Sequence, residues 1–135
     1  MRFALLKHTT SSESNRRPHL DLLLQSREAE SPDDRCLITF EIPLEPAYWD
    51  GLTILRLELH RAIYLDYTGE IEGNRGSVEK FDSGPLVWTT QASGELLFSM
   101  RLANPRYQRN SGTWQFLEAS DGRGWIAQHL RSVEF

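Results

Sequence analysis

The chain has a single cysteine, Cys36, among its 135 residues. One thiol excludes an intramolecular disulfide and fits a reducing compartment. Cys36 lies in the apolar run Cys36-Leu37-Ile38-Thr39-Phe40, where a buried, inert thiol is expected. Lysine is scarce as well. Only Lys7 and Lys80 occur, against thirteen arginines. A formal net charge of -4 excludes the general basic surface that drives non-specific nucleic-acid binding. Long apolar runs are absent, and the stretch from Phe3 to Leu6 is too short for a signal-peptide core or a membrane span. No repeat and no linker divides the sequence. These absences predict one soluble, cytoplasmic domain over 1–135, with no membrane partner.

What is present is alternation. Short runs with apolar residues at every second position are separated by turn residues, the pattern of antiparallel β-structure. The predicted strands are 2–8, 19–25, 36–42, 53–60, 67–71, 77–82, 95–102, 112–118 and 125–130. In Leu96-Leu97-Phe98-Ser99-Met100-Arg101-Leu102 every even position is apolar, so that strand buries one face. Gly73-Asn74-Arg75-Gly76 reads as a hairpin connection. Residues 44–51, with Pro46 near their start, predict one short helix. Residues 9–18 and 26–34 read as polar loops. The expected fold is mainly β: a small antiparallel barrel, closed or partly open, of about eight strands with one or two short helices.

Several polar residues are planted in otherwise apolar strands. They are His8, then His19 and Asp21, then Arg56, Glu58 and His60. Residues two apart on a strand share a face. His19 and Asp21 are therefore expected on one face and Leu20, Leu22 and Leu24 on the other. Likewise Arg56, Glu58 and His60 are expected on one face, opposite Leu55, Leu57 and Leu59. Two imidazoles and a carboxylate that converge make a divalent-metal site. Read alone, His19 and Asp21 fit an inward polar pair as well, and Glu58 fits a partner for Arg56. His129 reads as structural. Trp114, Trp125 and Phe98 read as core rather than base-stacking platforms, and Tyr48-Trp49 as a packing anchor.

The apolar strand ending in Lys7-His8, the segment Arg16-Arg17-Pro18-His19-Leu20-Asp21 and the block Glu58-Leu59-His60-Arg61-Ala62-Ile63-Tyr64-Leu65-Asp66-Tyr67-Thr68-Gly69 carry a resemblance. So do Phe81-Asp82-Ser83-Gly84, Gly112-Thr113-Trp114 and Gly124-Trp125-Ile126. The sequence resembles the 3′-phosphoesterase domain of bacterial ligase D, the end-joining ligase, and its stand-alone relatives. The resemblance implies a β-barrel with a metal-dependent site, usually manganese, with zinc as the alternative. It implies trimming of DNA or RNA-tailed DNA at 3′ ends, first of a terminal ribonucleoside and then of a 3′-phosphate. The implied partners are nucleic-acid 3′ ends and an end-joining ligase or polymerase. Carried over by position, His8, His19 and Asp21 would hold the metal. His60 would contact phosphate or act in acid–base chemistry, with Glu58 and Tyr64 beside it.

Three family cations are missing: leucine stands at Leu23, Leu44 and Leu52. Arg56, Arg16 and Arg17 are the candidates to replace them. Two other readings follow. One is a non-catalytic, metal-bearing barrel that binds nucleic-acid ends or a repair partner. The other is a non-haem iron oxygenase with His19, Asp21 and His60 as its facial triad.

Overall fold

A computed structural model describes residues 1–11, 16–120 and 124–132. Nine antiparallel strands form one sheet: β1 (Arg2–Thr9), β2 (His19–Gln25), β3 (Leu37–Pro43), β4 (Thr53–Arg56), β5 (Gly69–Glu70), β6 (Ser77–Ala92), β7 (Glu95–Met100), β8 (Gly112–Glu118) and β9 (Trp125–Ser132). The strand order is β1-β2-β3-β4-β9-β8-β7-β6, and β6 returns to pair with β1. Eight strands thus close a ring, and β5 attaches to β6 outside it. The expected β-barrel is present.

The alternation in the sequence decides what fills it. Leu20, Leu22 and Leu24 of β2 point into the ring, with Phe3 and Leu5 of β1 and Phe40 of β3. They meet Phe98, Trp114, Phe116 and Trp125 from the other side. Phe40 and Phe98 each contact Phe116 edge to face at about 5 Å between ring centres, a geometry that adds to simple burial.

The opposite face of β1 and β2 is covered too. Ala4, Leu6 and Leu23 pack there with Cys36, Leu37, Leu65 and Val78 in a second apolar cluster. The connection between β4 and β5, with its 3-10 helix Ala62–Leu65, lies over this outer wall. Every residue of β2 is consequently buried. His19 and Asp21 therefore lie between the barrel wall and this overlying connection. Cys36 is buried, and burial raises its thiol pKa, as an inert thiol requires.

Three sequence expectations fail for physical reasons. No helix forms over 44–51. The Asn110 side chain takes the place of helical hydrogen bonds there: Trp49 N–H donates to its Oδ1 and its Nδ2 donates to the Ala47 carbonyl. The helical pieces among the described residues are instead the 3-10 turns Ala62–Leu65 and Gln108–Asn110. Ser83-Gly84-Pro85 does not end β6. A Cβ at position 84 would lie 3.2 Å from the Phe3 ring, so glycine lets that ring rest on the strand. Finally, the strand expected over 53–60 stops at Arg56. Among the described residues, no helix is long and apolar enough to cross a membrane.

Candidate metal centre and adjoining cavity

His8 and His19 sit directly opposite each other across β1 and β2. Asp21, two residues along from His19, shares their face. The His8 Nδ1–Asp21 Oδ2 distance is 3.3 Å and the His19 Nε2–Asp21 Oδ1 distance is 3.2 Å. One donor atom from each of the three residues falls within 4.8 Å of the others.

The backbone fixes how each ring faces this point. His8 Nε2 lies 3.0 Å from the Arg75 carbonyl, and His19 Nδ1 lies 3.2 Å from the Arg17 carbonyl. A carbonyl only accepts, so those nitrogens carry N–H. The remaining nitrogens, His8 Nδ1 and His19 Nε2, turn their lone pairs toward the Asp21 carboxylate. That carboxylate is also an acceptor. Three acceptors can face one another only around a cation, either a proton on a ring or a metal ion. His19 Nε2 and Asp21 Oδ1 are buried without a hydrogen-bond partner. Such orphaned atoms ask for an explanation, and an ion satisfies both.

The electrostatics agree with this crowding. Burial pushes the Asp21 carboxyl up, but the close approach of the His19 and His8 rings, which attracts a proton to the imidazoles rather than to the carboxylate, outweighs it and holds the group at about 2. The Asp21 hydrogen bond raises the His8 pKa, against burial, and the Arg75 carbonyl adds to the rise. The proton favoured at this point occupies the place a divalent cation would take.

Beside the centre lies a cavity of about 380 Å³. His8 and Asp21 line it, with Glu58, His60 and Tyr64 opposite. Leu6 and Val78 also line it, and Arg35, Arg61 and Arg75 bring positive charge. His60 Nδ1–H donates to the Glu58 carbonyl at 2.8 Å, so Nε2 is the nitrogen with a lone pair. The His60 and Tyr64 rings meet edge to face at 6.0 Å. Arg35 and Arg75 each donate to a backbone carbonyl, Leu59 and Glu72 respectively. Arg61 is ion-paired with Asp33.

Arg56 is not in this cavity. Its guanidinium lies 5.3 Å from the Trp125 ring centre, on the other face of the sheet. The reason is one extra residue. Leu55 sits opposite Glu41 and His60 opposite Leu37, so five steps along this strand match four along β3. A bulge of that kind exchanges the two faces. Before it, the odd residue Leu55 shares the face of Glu41 and Asp21; after it, the even residue His60 does. The expected common face of Arg56, Glu58 and His60 is thus corrected: Glu58 and His60 reach the cavity, and Arg56 does not.

The remaining cation candidates lie on the far side of His19. Arg16 and Arg17 line a second cavity of about 580 Å³ with His19, Glu41, Leu44 and Leu55. Leu23 is completely buried in the second apolar cluster, and Leu44 and Leu52 pack against the main core. His60 does not join the converging donors, so the triad of His19, Asp21 and His60 is not assembled. His129 is structural: its ring stacks on Trp114 at 4.4 Å and holds Tyr48 and Ser111.

The sequence reading missed Glu41. It lies directly across from Asp21 on β3, and its Oε1 is 3.5 Å from His19 Nε2. Its signal was present: a lone carboxylate in the apolar strand Leu-Ile-Thr-Phe-Glu-Ile. Neither a protein-family model nor a curated protein matches the chain.

Proposed function

We propose that the protein is a metal-dependent phosphoesterase acting at nucleic-acid 3′ ends, in the manner of the ligase D domain its sequence resembles. One observation carries this reading. His8, His19 and Asp21 aim acceptor atoms at one buried point, and that point adjoins a cavity lined by His60, Tyr64 and arginines. A divalent ion held by the three residues supplies a Lewis acid for a phosphoryl oxygen. Imidazole with carboxylate suits manganese or zinc, and the resemblance favours manganese.

The chain's own residues do the rest. Arg35 and Arg75 supply positive charge to the cavity without a carboxylate partner among the described residues. That favours an anionic ligand and the charge that develops on it. His60 is held by the Glu58 carbonyl and presents Nε2. As imidazole it accepts a proton, and as imidazolium it donates to the phosphate or the leaving oxygen. The cavity has the size of a ligand pocket, which suits one chain end rather than a duplex. Removal of a 3′-ribonucleoside or a 3′-phosphate leaves an end that a ligase or polymerase can use. That points to end-joining enzymes as partners.

A non-catalytic, end-binding barrel is the second reading. It is favoured by Leu23, Leu44 and Leu52, which replace the family's cations with core packing. Turnover of a 3′-phosphate primer and of a 3′-ribonucleotide primer with manganese separates the two. Activity that falls at least ~100-fold in His60→Ala supports the phosphoesterase. End binding without turnover, with metal bound, supports the binding barrel.

A further inference from the structure

The geometry points to Glu41 as a fourth ligand of the metal centre, one that exchanges its Arg16 partner for the ion. This inference rests on the metal-centre reading above. Three observations carry it. The orphaned nitrogen His19 Nε2 lies 3.2 Å from Asp21 Oδ1 and 3.5 Å from Glu41 Oε1, so it sits between two carboxylates. The side chains of His19 and Asp21 are more than nine-tenths buried and aimed at this point, whereas Glu41 is 20% exposed and has room to move. Glu41 and Asp21 are also a directly opposed pair on β3 and β2, which places both carboxylates on one face at neighbouring positions.

Two carboxylates so close repel each other unless positive charge lies near them. Arg16 now provides it, through an ion pair with Glu41 at the mouth of the second cavity. A divalent ion between His19 Nε2, Asp21 and Glu41 provides it better. The donor set becomes two imidazoles and two carboxylates, which together neutralise the ion. Its geometry also gains a direction. Glu41 and His19 line the second cavity, while His8 and Asp21 line the first. A ligand from Glu41 closes the second side, so the open coordination positions face His60.

Titration of the full-length protein with Mn²⁺ and with Co²⁺, by calorimetry and by visible absorption, tests this. Glu41→Gln keeps the shape and removes the charge. It is expected to weaken both ions at least ~10-fold and to change the Co²⁺ spectrum. Arg16→Met removes the competitor and is expected to tighten binding; as a surface change it reads the same claim should Glu41→Gln not fold. An unchanged affinity and spectrum in Glu41→Gln, with binding lost in His19→Ala, overturns the role of Glu41 and leaves the three-residue centre standing. Loss of affinity in Arg16→Met as well as in Glu41→Gln marks the ion pair as a strut and also overturns it. No binding by the parent protein overturns the centre itself.

Discussion

Asp21 and His8 hold opposite ends of one proton balance. Asp21 is depressed from 3.8 to about 2, so its share of stability is complete above its ordinary value and is lost as pH falls through the lower one. His8 is raised above 6.5, so its share is complete below 6.5 and is lost as pH rises through the folded value. The pair therefore stabilises the ion-free protein most between about pH 4 and 6.5. Thermal melts against pH should show that plateau, and His8→Ala should remove its alkaline fall. Manganese competes for the same lone pairs, so its affinity should rise with pH as His8 loses its proton. Leu23 gives a different expectation. It is fully buried, so Leu23→Arg does not restore a phosphate contact but strands a charge in the second apolar cluster. A loss of about 3–5 kcal/mol in urea unfolding is expected. His19 and Asp21 were legible as a pair because they stand two apart on one strand, where spacing assigns a face, whereas His8 lies on another strand and joined them only through the resemblance. Glu41 was not, because its importance comes from a partner on another strand.

At the scale of elements, the bulge after β4 decides which residues meet the cavity. Periodicity cannot reveal an inserted residue, so a strand read straight through 53–60 put Arg56 with His60. The bulge is testable. Deleting Leu59, which is 41% exposed, restores an even match with β3 and keeps His60 opposite Leu37, on the cavity face. Metal affinity and primer turnover should therefore both survive this deletion, whereas His60→Ala should lower turnover at least ~100-fold. Turnover lost in the deletion, with metal still bound, would contradict this register. The same logic explains the other departures. β7 and β8 were legible because their inward residues, Leu96, Phe98 and Met100 in one and Trp114 and Phe116 in the other, alternate as a strand with one buried face does. Residues 44–51 looked helical because helix signals are local, whereas the Asn110 side chain that orders them comes from far along the sequence. The strand expected over 77–82 runs on to Ala92, with Gly84 passing under a Phe3 ring that belongs to another strand.

For the whole molecule, charge sets the manner of association. A net charge of -4 and a few clustered arginines leave few phosphate contacts. Binding to a 3′-tailed primer should be weak and should fall steeply with salt, and blunt duplex should bind more weakly still. Tight duplex affinity that stays flat from low to high salt would contradict this. The closed ring has a further consequence, in time rather than in space. Its seam joins Arg2 on β1 to Pro85 on β6, so the ring cannot shut until most of the chain has been synthesised. Contacts that distant are the slow part of folding. The three candidate donors, by contrast, all lie on the β1–β2 hairpin and need little loop entropy to meet. If the proposed centre binds its ion, chelation has a head start over closure, and the ion would be aboard before the barrel shuts.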